Sequence, residues 1–398
     1  MVVAIVDERL KDWATPRQAE MIDAVNRLGG MTAAAREMGI ASPANITDVV
    51  RMLKKKAARD GYAPGNWENG VAAGYRMGKV TVQRDAFGKV LQTWERQSPA
   101  AEAVEALARD LAAGLAEQMP RAAAVAPPAH EDEDLLTVYP QGDPHAGLRS
   151  WKDETGSHFD LVEFERVQVA AVDRLVASTP PSAIAIFNDK GDSTHADNSK
   201  NRTPRSGHQL DVDGRHAEVV RVAARVKRHQ IGRMLEKHRK VIVRIDPGNH
   251  DPETALMLAL LFEAIYENEP RVEVITSPNP YWYYRFGANL IGTCHGDGAK
   301  GKDLPGIMAH DARAWWGEAT NCVWFVGHVH HKDIKEYTGC TVEYCRTLAA
   351  PDAYSNGAGY RSKRDLQAIT FHKTDGEVER HTCSLERLNR LMSAPDGG

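Results

Sequence analysis

Residues 241–251 read VIVRIDPGNHD, an apolar run that passes directly into a cluster of polar side chains. The first five residues have the length and composition of a short buried strand. Gly248, Asn249, His250 and Asp251 follow almost at once, and three of them carry side chains that can bind metal ions or transfer protons. The stretch therefore predicts a strand that delivers chemically active residues at its carboxyl end.

The same arrangement occurs four more times. Residues 135–139 lead to Asp143 and His145, 183–187 to Asp192, 289–293 to His295, and 323–326 to His328 and His330. Further strands are predicted at 272–276 and 340–348, a hairpin at 366–383, and helices at 159–177, 215–240 and 252–266. This alternation predicts an α/β domain in which helices cover sheets. Loops after the carboxyl ends of such strands converge, so the five clusters indicate one site.

In sequence and order, these clusters resemble the calcineurin-like metallophosphoesterase family. The family pattern is DxH, GD, GNH followed by Asp or Glu, a lone His after a strand, and GHxH, and all five elements occur here. The resemblance implies a two-layer β-sandwich flanked by helices, with a dinuclear metal site at one edge. It also implies that the chain is an enzyme that hydrolyses phosphoric esters.

The resemblance also implies a role for each ligand. Asp143, His145 and His330 would hold one metal ion, Asn249, His295 and His328 the second, and Asp192 would bridge the two. Carboxylate and imidazole ligands suit manganese, iron or zinc, and we expect two divalent ions, manganese first. Two cations about 3.5–4 Å apart lower the pKa of a bridging water, so that a hydroxide attacks phosphorus in line.

Three residues near these ligands are candidate catalytic or substrate contacts. His250 matches the family's histidine that is not a ligand, and would donate to a phosphate oxygen or to the leaving group. We expect Asp251 to fix the tautomer and orientation of His250. His195 departs from the family pattern, in which many members have Asn or Asp three residues after the bridging Asp. We assign it to substrate binding, with a plain loop histidine as an equal alternative.

The loop from His195 to Asp213 is polar and follows the bridging Asp192 directly. We expect it to cover the site, with Arg202 and Arg205 in contact with substrate. Residues 200–240 contain 12 Lys and Arg against 4 Asp and Glu, a balance that would attract a polyanion. A solvated helix face with ion-pair partners is an equal alternative. The aromatic clusters at 281–284 and 315–316 either stack on bases or pack in the core.

Residues 1–65 predict a small helical domain, with helices at 16–28 and 32–38 and a third after residue 43. Three helices with a Gly-containing turn before a basic third helix resemble a helix-turn-helix module. The basic side chains of the third helix, which we expect to bind nucleic acid, are Arg51, Lys54, Lys55, Lys56 and Arg59. The alternative is a helical bundle with a solvated basic face.

The segments between the two domains have separate signatures. Residues 66–98 include an alternating pattern that predicts a β-hairpin, a wing-like extension of the helical domain. Residues 99–119 have apolar residues at helical spacing, which pair with a second copy of the chain or pack on their own domain. Together with the Ala- and Pro-rich stretch that follows, residues 99–134 predict a helix and a flexible linker before a metallophosphoesterase domain at 135–398.

Composition limits the class of protein. The 398 residues are 42% hydrophobic with a formal net charge of −4, so the chain can bury a large core and is not a polycation. The five cysteines form no CxxC pair, and the N-terminal apolar run is too short for a signal peptide. We therefore expect a cytoplasmic protein, and we expect no membrane partner because no stretch is long enough to span a bilayer.

The leading hypothesis is a metal-dependent nuclease or DNA-end-processing phosphodiesterase. Its catalytic motifs are similar to those of the nuclease subunits of double-strand-break repair complexes, and its layout looks like that of bacteriophage proteins, which act in the host cytoplasm. One alternative is a phosphodiesterase or phosphatase for a small nucleotide or a phosphoprotein. Another is a DNA-binding regulator with a structural metal site, although such a site has no need of His250.

Overall fold

The computed structural model describes residues 5–64, 66–100, 102, 106, 109–110, 114 and 121–393. The chain divides into two compact units, Met1–Leu107 and Ala108–Gly398. Most of the helix predicted at 99–119 lies outside the described residues. Within the described residues, every helix is too short or too polar to span a bilayer. All five cysteines are buried and unpaired.

The first unit begins with a 3₁₀ helix at Glu8–Trp13 and three α-helices: α1 Pro16–Leu28, α2 Met31–Glu37 and α3 Pro43–Arg59. Their starts and stops follow from local chemistry. Thr15 and Gln18 form a capping box at the start of α1, Gly29 ends it with a φ of 75°, and the side chain of Ser42 caps α3. The apolar faces of the helices share a small core. The three helices lie where the sequence predicts them.

Among its described residues, this unit also has four strands: β1 Tyr62–Ala63, β2 Trp67–Glu68, β3 Tyr75–Arg84 and β4 Val90–Pro99. β3 and β4 form the predicted antiparallel hairpin. Its turn is stabilised by Asp85, whose Oδ1 accepts hydrogen bonds from the backbone of Phe87 and Lys89, both at 2.9 Å.

The second unit contains eleven strands within the described residues: β5 Asp132–Gln141, β6 Ser182–Asp189, β7 Lys240–Ile245, β8 Val272–Ile275, β9 Trp282–Phe286, β10 Asn289–Cys294, β11 Asn321–Val326, β12 Asp333–Tyr337, β13 Cys340–Tyr344, β14 Asp365–His372 and β15 Gly376–Ser384. Its α-helices are α4 Lys152–Thr155, α5 Leu161–Ser178, α6 His216–Leu235, α7 Pro252–Ile265, α8 Leu304–Asp311, α9 Arg313–Glu318, α10 Ala353–Gly357 and α11 Leu385–Ser393.

These strands form two sheets, ordered β15-β14-β5-β6-β7-β8 and β12-β13-β11-β10-β9. Strands β5 to β8 are parallel, as are β10, β11 and β13. Apolar residues from both sheets share one buried cluster, so the sheets pack face to face. Helices α5, α6 and α7 cover the larger sheet, and α8 packs on the smaller one. The expected mixed α/β architecture is therefore confirmed.

Several predicted boundaries were wrong. The strand predicted at 340–348 ends at Tyr344, and the helix predicted at 215–240 ends at Leu235 because the chain must turn to enter β7. Strand β12 was missed because it is a mostly exposed edge strand with a charged sequence. Strand β9 was treated only as an aromatic cluster, although aromatic residues favour strands.

The flexible linker predicted up to residue 134 is also corrected in part. The backbone N–H of Ala122 donates to the carbonyl of Ile265 at 3.2 Å, and Ala122 and Val125 pack against the main core. Residues 121–125 are therefore docked on the second unit. Strand β5 begins at Asp132, three residues before the predicted boundary of the catalytic domain.

Candidate metal centre

The five predicted clusters meet at one edge of the sandwich, because the strands before them are parallel within each sheet and release their loops at the same edge. The predicted ligands in these loops are Asp143, His145, Asp192, Asn249, His295, His328 and His330. Three groups of acidic and histidine side chains here have ligand atoms within 4.8 Å of one another. The structure thus brings together residues that are up to 187 positions apart in the sequence.

Asp143, His145 and His330 form one of these groups. The Nε2 atoms of the two histidines are 3.0 Å apart, and Nε2 of His330 lies 3.8 Å from Oδ1 of Asp143. The Asp143 carboxylate is fixed from the opposite sheet, since the backbone N–H of His328 donates to its Oδ1 at 2.8 Å. One carboxylate and two imidazoles therefore face a common point, as ligands of a single metal ion do.

Asp192, His295 and His328 form a second group, and Asn249 lies beside it. Nε2 of His295 is 2.8 Å from Oδ1 of Asn249. Oδ2 of Asp192 lies 3.4 Å from Nε2 of His295 and 3.8 Å from Nε2 of His145. The Asp192 carboxylate is therefore close to both ligand sets, which is the position that a bridging ligand must occupy.

The backbone at these ligands is strained. Six described non-glycine residues have a positive φ, and five of them are predicted ligands: Asp143, His145, Asp192, His328 and His330. Each such residue costs about 1–3 kcal/mol. The loops also approach very closely, since a Cβ on Gly248 would lie 2.1 Å from the backbone nitrogen of Asp192. Strain concentrated at one site is typical of a functional centre.

The protonation states of the site suit metal binding. Burial raises the pKa of Asp143 to about 7 and lowers the pKa of His330 to about 4. Burial also holds the pKa of His145 well below its ordinary value. These two imidazoles are therefore neutral and able to act as ligands, and a cation would offset the cost of burying the Asp143 charge. This set of carboxylate, amide and imidazole donors fits divalent metal ions.

His250 lies at the same site with one ring nitrogen directed to the backbone. Its Nδ1 is 2.8 Å from the carbonyl oxygen of His195, so Nδ1–H donates there and Nε2 is left facing the ligands, 4.0 Å from Oδ2 of Asp192. The orienting role predicted for Asp251 was therefore wrong. The Asp251 carboxylate is fully buried and accepts instead from the backbone N–H of Thr194 at 2.8 Å. Its contact holds the loop after Asp192.

His195 is a buried part of the site. Its Nδ1 is 3.1 Å from Nδ1 of His145, its ring stacks on His250 at a centroid distance of 5.2 Å, and its Nε2 is buried with no hydrogen-bond partner among the described residues. An unpaired buried polar atom is costly unless a ligand or water satisfies it. The position of His195 therefore supports a contact with ligand or substrate rather than a plain loop histidine.

The basic stretch at 200–240 divides into two parts. On α6, Arg225 pairs with Glu165 at 2.6 Å and Arg233 with Asp173 at 3.0 Å, as expected of a solvated helix face. The cations of the loop before α6 are also exposed. Arg202 donates to Gln209 at 3.1 Å, and Arg205 lies 3.8 Å from Asp297 in the loop that follows His295. Both predicted substrate-binding arginines therefore lie on the loop that leaves the site.

Sequence analysis missed a buried set of charged residues beneath the ligands. Lys190 and Arg244 both donate to the carboxylate of Asp246, at 3.0 and 2.7 Å, and all three side chains are fully buried. Asp189 pairs with buried Lys227 and accepts from the backbone N–H of Gly191 at 3.1 Å, next to Asp192. The signal was present in the sequence, since charged residues at the end of an apolar strand are costly unless paired.

The predicted nucleic-acid contacts lie in the first unit, on α3. Arg51 pairs with Asp48 at 2.8 Å, and Nζ of Lys56 donates to the carbonyl of Trp13 at 3.1 Å. Lys54, Lys55 and Arg59 are exposed. Two of the five predicted contacts are thus engaged within the unit, and three are directed to solvent.

No protein-family model matches this sequence, and none of the curated proteins compared with it matches either. Solved structures do resemble it. A predicted phosphoesterase from Streptococcus pneumoniae is 13% identical, with a TM-score of 0.26, covering 64% of this chain and 99% of its own. An archaeal phosphodiesterase is 11% identical, with a TM-score of 0.31 and coverages of 63% and 99%. Vps29 from Entamoeba histolytica, solved with zinc, is 12% identical, with a TM-score of 0.24 and coverages of 62% and 98%. Such low values give these likenesses no weight in assigning a function.

Proposed function

We propose that this chain is a dinuclear-metal phosphoesterase that cleaves phosphodiester bonds of nucleic acid, as a nuclease or an end-processing phosphodiesterase. The observation that carries the proposal is the position of Asp192, whose carboxylate lies close to two sets of ligands, each drawn from loops of both sheets. A single structural ion needs only one such set, whereas hydrolysis at phosphorus benefits from two adjacent cations.

The roles of the residues follow from their positions. Asp143, His145 and His330 would hold one ion, Asn249, His295 and His328 the other, and Asp192 both. When bound, the two metal ions would supply an activated water and neutralise charge on the phosphate. His250 acts without being a ligand: the carbonyl of His195 accepts from its Nδ1–H, so its Nε2 faces the ligands. When the ring carries a second proton on Nε2, it can donate that proton to a phosphate oxygen or to the leaving group.

Two cationic surfaces support nucleic acid as the substrate. One is the exposed loop with Arg202 and Arg205 beside the site, and the other is α3 with Lys54, Lys55 and Arg59. Clustered cations attract the phosphates of nucleic acid. A small nucleotide or a phosphoprotein would need only the first surface, so the choice of substrate is the point to test.

The test combines metal content with hydrolysis. Elemental analysis of the purified chain should give about two manganese, iron or zinc ions per chain, and Asp192→Asn should reduce both occupancies because its carboxylate serves both. Asp211→Asn, at an exposed carboxylate on the same unit, should leave the metal content unchanged. Full loading of Asp192→Asn would refute the bridging role.

Turnover should be measured with Mn²⁺ on single-stranded DNA, double-stranded DNA and bis-p-nitrophenyl phosphate. His250→Ala should keep the metals and lower turnover on the order of 10²–10⁴-fold, as expected for loss of a general acid. Hydrolysis of the small diester without any cleavage of either DNA would replace the nucleic-acid assignment by one with a small substrate.

A further inference from the structure

Two segments of the second unit border the metal centre on one side. The first leaves the site at His195, and the second follows β13 and reaches the site at Asp352. In the second segment, Oγ1 of Thr347 donates to the carbonyl of Asp143 at 2.6 Å, which holds this segment against a predicted ligand. The carbonyl of Pro351 accepts from Oγ of Ser150 at 2.7 Å, which ties the second segment to the loop that contains His145.

The two segments also meet farther from the ligands. The ring of His208 lies edge-on to the ring of Tyr354, with centroids 5.3 Å apart. Neither residue is in the core: His208 is exposed, and Tyr354 has 61% of its surface exposed. We call residues 198–209 and 353–363 together the rim.

The rim has a uniform charge. It contains five basic residues and no Asp or Glu, and all five are exposed: Lys200, Arg202, Arg205, Arg361 and Lys363. It also exposes two large aromatic side chains, since Tyr360 is 60% exposed in addition to Tyr354. Exposed aromatic rings interspersed with cations are the combination by which proteins bind unpaired nucleic-acid strands, through base stacking and phosphate contacts.

We propose that the rim binds a single-stranded segment of nucleic acid next to the scissile phosphate, with a base stacked on Tyr354 and backbone phosphates on Lys200, Arg202 and Arg205. The inference rests on the proposed phosphoesterase function and specifies its substrate. A single strand is favoured over a duplex because an exposed aromatic ring can stack only on a base that has left its own stack.

A second aromatic surface competes with the rim. Tyr281, Tyr283 and Trp315 line a cleft of about 440 Å³ beside β9, together with Asp311 and Arg313. The two tyrosines are only partly exposed, and the hydroxyl of Tyr283 donates to Asp311 at 2.9 Å, so neither ring is as open to solvent as that of Tyr354. The cleft also has one acidic and one basic residue, Asp311 and Arg313, whereas the charged residues of the rim are all basic. Trp315, 41% exposed, makes a matched control for Tyr354.

The test uses the full-length, metal-loaded protein and a fluorescent thymidylate oligonucleotide of about six nucleotides, a length that suits one stacking site. Phosphorothioate linkages slow its hydrolysis. Tyr354→Ala should raise the Kd by about 5- to 150-fold, the change expected when one base-stacking contact is lost. The Kd of Tyr354→Phe, which keeps the ring, should stay within about twofold of that of the unchanged protein. Arg202→Ala combined with Arg205→Ala should reduce the salt slope of binding by about 0.7 for each phosphate that the protein no longer neutralises.

The controls separate this proposal from the one on which it rests. Trp315→Ala should bind normally, and Tyr354→Ala should hydrolyse bis-p-nitrophenyl phosphate at an unchanged rate. Unchanged binding by Tyr354→Ala, weaker binding confined to Trp315→Ala, or an equal weakening for a matched duplex would each overturn the role of the rim. Binding that depends on Tyr354 in a protein that hydrolyses no phosphodiester would leave the rim in place and refute the phosphoesterase function.

Discussion

His238 is a buried residue whose protonation state couples folding to pH. Its Nδ1 accepts from the backbone N–H of Ser182 at 3.2 Å, and its Nε2 lies 2.8 Å from the hydroxyl of Tyr139. That hydroxyl is 2.8 Å from Oγ1 of Thr179, which donates in turn to the carbonyl of Val176. The chain of hydrogen bonds is complete when His238 is neutral with its proton on Nε2.

Acidification should therefore destabilise the protein through His238. Burial lowers its pKa to about 3, so between that value and the unfolded pKa near 6.5 only the unfolded state binds the proton, and stability falls as pH falls. Between pH 7 and pH 5, the free energy of unfolding should decrease by about 2 kcal/mol more in the unchanged protein than in His238→Gln. Urea unfolding at the two pH values measures this difference.

The control is His229→Gln on the exposed side of α6, where His229 contacts Asp173. In His229→Gln, the free energy of unfolding should decrease between about pH 7 and pH 5 by the same amount as in the unchanged protein. An equal decrease in His238→Gln and the unchanged protein would show that His238 does not carry this pH dependence.

At the scale of elements, residues 121–125 form an arm docked beside the end of α7. Besides the backbone bond from Ala122, the carbonyl of Val125 accepts from Arg271 at 2.7 Å, and Arg121 pairs with Glu267 at 2.7 Å. The exposed ion pair contributes little to the free energy of unfolding, whereas burial of the Val125 side chain contributes more. The arm therefore belongs to the second unit, although its composition is that of a linker.

Replacing the apolar side chain of Val125 in this arm should measurably lower the stability of the second unit. Val125→Ser should lower the free energy of unfolding of the second unit by about 1–2 kcal/mol, because it exchanges a half-buried apolar side chain for a polar one. Ala124→Ser, one residue earlier and exposed, should have no effect. Chemical unfolding of both variants is the measurement, and equal stability would mean that residues 121–125 behave as the linker their composition suggests.

At the scale of the whole molecule, the predicted metal ligands and the basic helix α3 belong to different compact units. Lys55 and Arg59 are four residues apart and share one face of α3, with Lys54 beside it. Since Arg51 and Lys56 make contacts within the first unit, these three cations are the ones we expect to reach phosphates.

The combined change of Lys54, Lys55 and Arg59 to Ala should weaken duplex DNA binding and reduce its salt slope by about 0.9 for each phosphate left without its cation. It should leave hydrolysis of bis-p-nitrophenyl phosphate unchanged, because all the predicted metal ligands lie in the second unit. Changing Arg17, Arg27 and Arg36 to Ala removes the same charge from α1 and α2 and should have a smaller effect. Equal effects of the two triple variants would indicate non-specific attraction rather than binding by α3.

The sequence by itself determined the strands that precede the site and the list of candidate ligands. Short apolar runs such as Val241 to Ile245 form buried strands, because burial removes their apolar side chains from water. The polar clusters that follow mark the ends of those strands. In the structure, α1 and α3 begin at local signals, a capping box and a serine cap. These features depend on residues that are close together in the chain, so spacing and side-chain chemistry are enough to predict them.

Only the tertiary structure decided how the candidates are used. Asp251 adjoins His250 in the sequence, yet the partner of His250 is the carbonyl of His195, because the loop after Asp192 folds over that ring. Tyr354 and His208 are 146 positions apart, and no spacing rule connects them. The same holds for Ala122 beside Ile265. Contacts between loops from different strands depend on sheet order and packing, and those long-range arrangements have no periodic signal in the sequence.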